Sequence, residues 1–381
     1  MNFELDEDRK LLQSAVREFA ENEIIPNAKI YEERGEYPWE IFRKAAKLGY
    51  VAPDIPEEYG GSNLDILSCV IIAEEFCRAD SSVGSAVATA GLGCPMVKYF
   101  GREEQKEKYL PMVTKGKTPS AIAITEPDAG SDVSAMKTKA EKVSGGWVLN
   151  GSKTFITNGS ISEWLVVLAK TNPEAGYRGI SAFIVEKGFE GFEARQIKKM
   201  GLHCHDTAEI FLKNVFVPEE NLVGAENMGF YQLMRFFNES RVGVAAAQLG
   251  IAEGAYERAL EYAKQRKAFG KPLIEHQAIA FKLADMFTAI ETARLLVYKA
   301  AWLIDQGAPN PAISSAAKLY ASEVAVKVCY DAVQIFGGYG YSKESDVERF
   351  FRDARAGTIY EGTSEIQRLI IARVLSGKIK L

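Results

Sequence analysis

The residues IYEGTSEIQR, from Ile359 to Arg368, set one carboxylate, Glu361, between an aromatic ring, Tyr360, and a glycine, Gly362. Ser364 followed by Gln367 has the spacing of a capping box, in which side chains at a helix start satisfy its free N–H groups. Ile366, Leu369, Ile370 and Val374 then fall on one helical face. The pattern predicts Glu361 on a loop just ahead of a helix N-terminus, with Gly362 letting another group approach the backbone. A loop glutamate is ordinarily a solvated acid. On a closed loop beside an apolar ligand it is a general base, and the rest of the chain must decide between the two.

Three further stretches carry polar groups where a chain turns. Ile122 to Asp132 reads IAITEPDAGSD, an apolar start, then a Pro/Gly turn with hydroxyls at Thr125 and Ser131. Such turns present N–H and hydroxyl groups to a phosphate or a polar ring edge, although many surface turns look alike. Gly151 to Ser160, GSKTFITNGS, adds hydroxyls and an aromatic ring beside another turn. Arg266 to Gln277, RKAFGKPLIEHQ, has cations and Phe269 at a helix break, which suits an anionic ligand or simply a charged helix end. Other motifs fail. Gly91-Leu-Gly93 begins a dinucleotide fingerprint, but Met96 stands where a glycine is needed and no strand precedes it. There is no Walker A motif, and none of the three histidines accompanies a GxSxG elbow. His203-Cys204-His205-Asp206 resembles a metal cluster, but neighbours in an extended run point to opposite faces, so a structural loop is expected and no metal.

The elements that must position these residues fall into three regions. Residues 1–119 read as helices: one around Leu12, Ala15, Val16 and Phe19 that ends or kinks at Pro26, a second from Pro38 to near Gly49, and a third through Ile66, Val70, Ala73 and Cys77. Ser81 to Gly93 is almost entirely small residues, which fits either close helix packing or a hollow for a ligand. Residues 120–227 carry short β-like runs at Trp147–Leu149, Phe155–Thr157, Leu165–Leu168, Ser181–Val185 and Ala208–Val217, with no helices interleaved. They predict a small antiparallel barrel or sandwich rather than a Rossmann fold. Residues 228–381 are helical again. Ile279, Leu283, Met286, Ile290, Ala293, Val297, Ala300 and Ile304 form an a/d seam. With helices at 229–265 and 312–336 and the one after Thr363, it predicts a four-helix bundle whose seam also suits subunit pairing. The fold class is therefore α+β in three domains. The stretch from Gly337 to Gly362 is long for a loop and predicts function or a further helix.

Composition bounds the rest. The chain has 381 residues and a formal net charge of −5, which provides no field for nucleic acid or anionic lipid. Its five cysteines form no CxxC pair and suit a reduced compartment. The acidic start MNFELDEDRK lacks the apolar core of a signal peptide, and no apolar run is long enough to span a membrane. A cytoplasmic protein is expected, or a mitochondrial-matrix one if the chain is a processed form.

Taken together and in this order, the segments resemble the acyl-CoA dehydrogenases over essentially the whole chain. ITEPDAGSD resembles the family's first flavin loop, the Phe155-Ile156-Thr157 segment its second, RKAFG its flavin-phosphate contact, QIFGGYGY its cross-subunit contact, and IYEGTSEIQR the loop carrying the base. The resemblance implies FAD held by Ile122, Ile124, Thr125, Gly130, Ser131, Phe155, Ile156, Thr157, Arg266, Phe269, Gln277, Gln334, Ile335, Phe336, Gly337, Gly338, Thr363, Ser364 and Glu365. It implies acyl-CoA met by Ser131, Asn238, Glu239, Ser240, Arg241, Tyr360 and Gly362. Gln334 to Gly338 would serve a neighbouring subunit's flavin, implying a homotetramer built as two dimers, with electron-transfer flavoprotein as acceptor.

The implied reaction is α,β-dehydrogenation of an acyl-CoA to the trans-2-enoyl-CoA, with Glu361 taking the α-proton and flavin N5 the β-hydride. Some family members place the base immediately before the Arg of the segment that here reads NESR. That position is Ser240, which cannot serve, so the base falls to Glu361, as in the short- and medium-chain branches. GAENMGFYQLM and LHCHDTAEIFL are closer to the long-chain branch. The alternatives are an oxygen-using flavin oxidase of the same fold and a non-catalytic acyl-CoA-binding protein. Acyl-chain length and branching are left open.

Overall fold

A computed structural model describes residues 4–378. The N-terminal region is helical: α1 (Glu7–Phe19), α2 (Ile25–Arg34), α3 (Trp39–Lys47), α4 (Ile66–Ala79), α5 (Ser81–Ala88), α6 (Cys94–Phe100) and α7 (Glu103–Thr114). Asp6 starts α1 by accepting from the Arg9 N–H. A short π-helical segment, Ala20–Ile24, joins α1 to α2, and Pro26 sits in the first turn of α2, so the proline marks a kink rather than an end. On α4 the expected apolar face is accompanied by buried Glu74, Glu75 and Arg78. These pair with Arg17, with Arg294 and with one another, tying the first helix and the C-terminal helices to α4.

The central region is a curled sheet: β1 (Ala121–Ala123), β2 (Lys139–Val143), β3 (Gly146–Thr157), β4 (Trp164–Lys170), β5 (Ile180–Glu186), β6 (Phe192–Gln196) and β7 (Thr207–Pro218). The order is β1-β4-β2-β3-β7-β6, with β5 on β4. The long pairings are antiparallel, as the short alternating runs predict, but β1 joins β4 in parallel, because it enters from the helical region instead of from a hairpin. In β4 both faces are buried. Leu165, Val167 and Ala169 join the sheet's own core, while Trp164, Val166 and Leu168 pack with the N-terminal helices. That is why WLVVLAK is a continuous apolar run. In β7 the alternation slips one residue where Lys213 and Asn214 are both exposed and Asn214 adopts φ +53.

The C-terminal region contains α8 (Gly229–Gln265), a small hairpin of β8 (Lys267–Ala268) and β9 (Lys271–Pro272), α9 (Gln277–Asp305), α10 (Pro311–Phe336), α11 (Val347–Gly357) and α12 (Ser364–Leu375). The predicted seam of α9 is buried from Leu283 to Ala300, with its end residues Ile279 and Ile304 packed against the same core. Helix α10 packs on α8, α9, α11 and α12, while α4 lies against α8 and α9. Gly250 and Gly254 make the α4–α8 crossing close: a Cβ on either would stand 2.2 Å from a carbonyl oxygen of α4. The stretch between Gly337 and Gly362 holds α11, whose end delivers the chain to Glu361.

Candidate active site

Glu361 follows α11 and precedes α12 on a left-handed turn, with φ +54 at Glu361 and +89 at Gly362. The second value favours glycine, and a Cβ there would also meet Gln367 Nε2 at 2.7 Å. The cap of α12 differs from the capping box expected at Ser364. The turn leaves Thr363 as the last extended residue, so its hydroxyl accepts from the Ile366 N–H at 3.3 Å. Gln367 faces the other way, donating to the carbonyls of Glu361 (3.1 Å) and Gly362 (2.9 Å). The Gly362 carbonyl also accepts from Lys318 Nζ at 2.7 Å. Both carbonyls of the turn are thus held, whereas among the described residues the Glu361 N–H has no acceptor.

The carboxylate itself is met by α8. Ser240 Oγ donates to Glu361 Oε2 at 3.0 Å, so the alternative position of the base is occupied by a partner of the base. Burial pushes the Glu361 carboxyl above its ordinary pKa, and Ser240, Arg241 and Lys318 pull it only part of the way back. Arg241 is buried with its guanidinium over the Phe237 ring, 5.1 Å from the centroid, and burial pushes its pKa down to about 10 against the pull of Glu361. Its buried Nε has no partner among the described residues. Tyr360 OH accepts from Gln248 Nε2 at 3.2 Å, which fixes the residue ahead of the base. Of the neighbouring candidates on α8, Asn238 is half-buried, and Glu239 is turned away from Glu361 to accept from Tyr99 OH at 2.8 Å.

A second surface is formed where β1 and β3 run together. The Thr154 N–H donates to the Thr125 carbonyl at 2.8 Å, bringing the first two polar stretches side by side. Behind them Lys153, fully buried, donates to the Ile124 carbonyl (3.0 Å) and to Glu126 Oε1 (2.8 Å). Burial pushes the Lys153 ammonium down to about 8. Burial also pushes Glu126 up, but Lys153 and the N–H groups of Lys137 and Thr138 outweigh it and hold the carboxylate ionised. A bulge between Lys153 and Ile156 gives Phe155 a φ of +57 and leaves its ring 66% exposed. Ile122 and Ile156 are buried, so their side chains belong to the cores and only their backbone is available to a ligand. Thr125 and Thr157 are half-buried, and among the described residues neither hydroxyl has a side-chain hydrogen-bond partner. Gly130 and Ser131 are exposed on the turn. A presented aromatic ring and two uncommitted hydroxyls, on segments joined by the Thr154–Thr125 hydrogen bond, fit a flat, polar-edged ring system.

The third group lies at one end of the helical region. Arg266 caps α8 and places its guanidinium 5.7 Å from the Tyr339 ring centroid, joining the RKAFG and QIFGGYGY segments. Phe336 stacks on Tyr262 at 4.1 Å and 12°. Phe269 has φ +50 and is 97% exposed, and Gln277, Gln334, Gly337 and Gly338 are exposed as well. Ile335 is buried in the core. At the start of α12, Ser364 is buried and Glu365 exposed. The HCHD residues diverge. His203 Nδ1 meets Glu32 at 2.9 Å, His205 Nε2 meets Thr89 at 2.8 Å, and Asp206 accepts from Ser160, while Cys204 is buried.

Sequence reasoning did not single out Lys318, Gln367 as a loop clamp, Gln248 or the Lys153–Glu126 pair. A signal existed for Lys318: with Ser314, Ser315 and Ser322 it forms a polar stripe at helical spacing within an otherwise small and apolar run.

A half-buried carboxylate whose turn is held by α8 and α10, and an open aromatic and hydroxyl surface on the sheet, suit a flavin-type oxidoreductase. Comparison with known proteins gives the family. Models of the acyl-CoA dehydrogenase N-terminal, middle and C-terminal domains match residues 6–117, 121–215 and 227–376. An acyl-CoA dehydrogenase of Bacillus subtilis is 46% identical over 97% of this chain and 98% of the relative. A short-chain-specific acyl-CoA dehydrogenase of Clostridium acetobutylicum is 44% identical over 100% of both chains. The solved butyryl-CoA dehydrogenase of Megasphaera elsdenii superposes with a TM-score of 0.95 at 41% identity, covering 99% of this chain and 100% of that one. The chain belongs to the acyl-CoA dehydrogenase family and is an oxidoreductase of that family, whose cofactor is FAD. Among the described residues no helix is long and apolar enough to cross a membrane.

Proposed function

We propose that this protein converts an acyl-CoA thioester to its trans-2-enoyl-CoA, with Glu361 as the base that removes the α-proton. The observation that carries the reading is the setting of Glu361, a carboxylate on a left-handed turn whose ionised form burial disfavours and Ser240 steadies. A free glutamate, with a pKa of ~4.3, is a weak base near neutral pH, and burial moves it toward the strength the task needs. An α-proton leaves a thioester only if the charge reaching the carbonyl oxygen is stabilised. The Glu361 N–H, uncommitted within the described chain, is the donor this loop offers.

When bound, FAD would supply the electrophile for the β-hydride. On this chain Thr125, Thr157 and Phe155 would hold the ring, with backbone contacts from Ile122, Ile124 and Ile156 and polar contacts from Gly130, Ser131 and Thr363 to Glu365. Arg266, Phe269, Gln277, Gln334, Gly337 and Gly338 are exposed, which suits service of the Gln334 to Gly338 segment to a neighbouring subunit, with buried Ile335 anchoring it. Phe281, Leu295 and Trp302 are also exposed along α9, and we propose that they are covered in a homotetramer. Light scattering of the holoenzyme tests this, and a monomer would overturn it. Domain limits at 119/120 and 227/228 complete the proposal.

For the acyl group, most of the small-residue stretch is consumed by packing. Ser81 to Val87 are buried, and a Cβ on Gly84 would stand 2.1 Å from the Phe76 carbonyl oxygen. Ala88 and Thr89 at the end of α5, and Gly91 and Leu92 just beyond it, are half-buried. With the short-chain names of two relatives, this supports a short acyl-CoA. Anaerobic bleaching over straight, branched and cyclic acyl-CoAs tests it, and re-oxidation by electron-transfer flavoprotein tests the acceptor. Glu361→Gln should retain FAD and ligand while losing bleaching by about 10³-fold or more. A fully active variant would remove Glu361 from the mechanism.

A further inference from the structure

Lys318 is fully buried in α10, on the same side as buried Ser314, Ser315 and Ser322. Its Nζ donates to the Gly362 carbonyl at 2.7 Å, and among the described residues no carboxylate forms an ion pair with it. Burying an ammonium without a contacting anion costs several kcal/mol, and an apolar side chain of similar length would avoid that cost. The hydrogen bond alone does not explain the residue, because Gln367 Nε2 already donates to the same carbonyl at 2.9 Å. What only the cation adds is positive potential. The charged groups facing it are Glu361 on the turn, Arg241 on α8 and Glu365 on α12. Of the two carboxylates, Glu365 is exposed, whereas Glu361 is the one whose ionisation burial opposes.

We propose that Lys318 is a positioning residue for proton abstraction: it ties the Glu361–Gly362 turn to α10 and sets a buried positive charge behind the base. The inference rests on Glu361 being the base. The same geometry places Arg241 and Lys318 as the two cations that act on Glu361, with Ser240 as its hydroxyl partner. Burial pushes Lys318 itself down to about 8, so it carries its charge at neutral pH.

The test is the rate of anaerobic bleaching of the holoenzyme by butyryl-CoA as a function of pH, for wild type, Glu361→Gln, Lys318→Met, Lys318→Gln and Lys318→Arg. Removing the cation should raise the pH of the acid limb by about one unit in the Met and Gln variants, a tenfold loss of rate below the limb. Arg should return the limb toward wild type. Gln keeps a donor for the Gly362 carbonyl without the charge, so it carries the test if the Met variant does not accumulate with FAD. A uniform loss of rate with an unmoved limb would reduce Lys318 to a structural residue and overturn the proposal. If Glu361→Gln loses bleaching while the Lys318 limbs coincide with wild type, the base stands and only Lys318 falls. If wild-type bleaching does not depend on Glu361, both readings fail.

Discussion

Lys153→Met puts the frame of the ring-binding surface under test. Lys153 and Glu126 are both buried, and the lysine donates to Glu126 Oε1 at 2.8 Å and to the Ile124 carbonyl at 3.0 Å. Methionine fills much of the volume but leaves the Glu126 carboxylate with only the N–H groups of Lys137 and Thr138. Each hydrogen bond to a charged group is worth about 1.5–3 kcal/mol, and a buried ion pair broken on one side typically costs about 3–5 kcal/mol. The expected loss for Lys153→Met is therefore about 4 kcal/mol. Glu126→Gln in the Lys153→Met background removes the stranded charge and should recover roughly half of that. Urea unfolding followed by far-UV circular dichroism measures the stability, and FAD retained through gel filtration measures the surface. Retention should fall with stability, because the pair fixes the Ile124–Thr125 backbone against β3. A Lys153→Met variant within about 1 kcal/mol of wild type, or a double variant no more stable than the single, would show that the pair does not hold this frame.

Other outcomes follow from the same structure. Gly84→Val should cost about 3 kcal/mol or more, because its Cβ would meet the Phe76 carbonyl at 2.1 Å and neither helix backbone can move cheaply; a thermal melt unchanged from wild type would contradict the packing of α5 on α4. Burial lowers the His205 pKa to about 4 from 6.5. Between those values the unfolded chain binds the extra proton, so stability rises with pH across this window and is lost as pH falls through it. His205→Gln, which can keep a bond to Thr89, should flatten that slope by up to about 3 kcal/mol, measured as urea midpoints at pH 4.5 to 7. Unchanged slopes would place the titration elsewhere. The Glu361→Gln and Lys318 series described above complete the set.

Much of this protein could be read from residue types and spacing. The α9 seam from Leu283 to Ala300 is buried as its heptads require, since a helix with one apolar stripe has only one face to hide. The alternating and apolar runs do lie in strands, although Trp147–Leu149 and Phe155–Thr157 join in the single strand β3 and β6 had no such signal, and Glu361 stands on a turn before a helix. Local order suffices for such features because helical and strand periods are properties of the backbone. Three-dimensional packing decided the rest. Whether Ser364 or Thr363 caps α12 depends on the left-handed turn at Glu361 and Gly362, which the cap motif alone does not specify. Whether Ser81 to Val87 line a hollow or fill a helix contact depends on how close α4 comes. Above all, the ionisation of Glu361 is set by Ser240, Arg241 and Lys318 from two helices remote in sequence. A carboxylate's identity is local, but its strength as a base is a sum over the charges and the burial that the fold assembles around it.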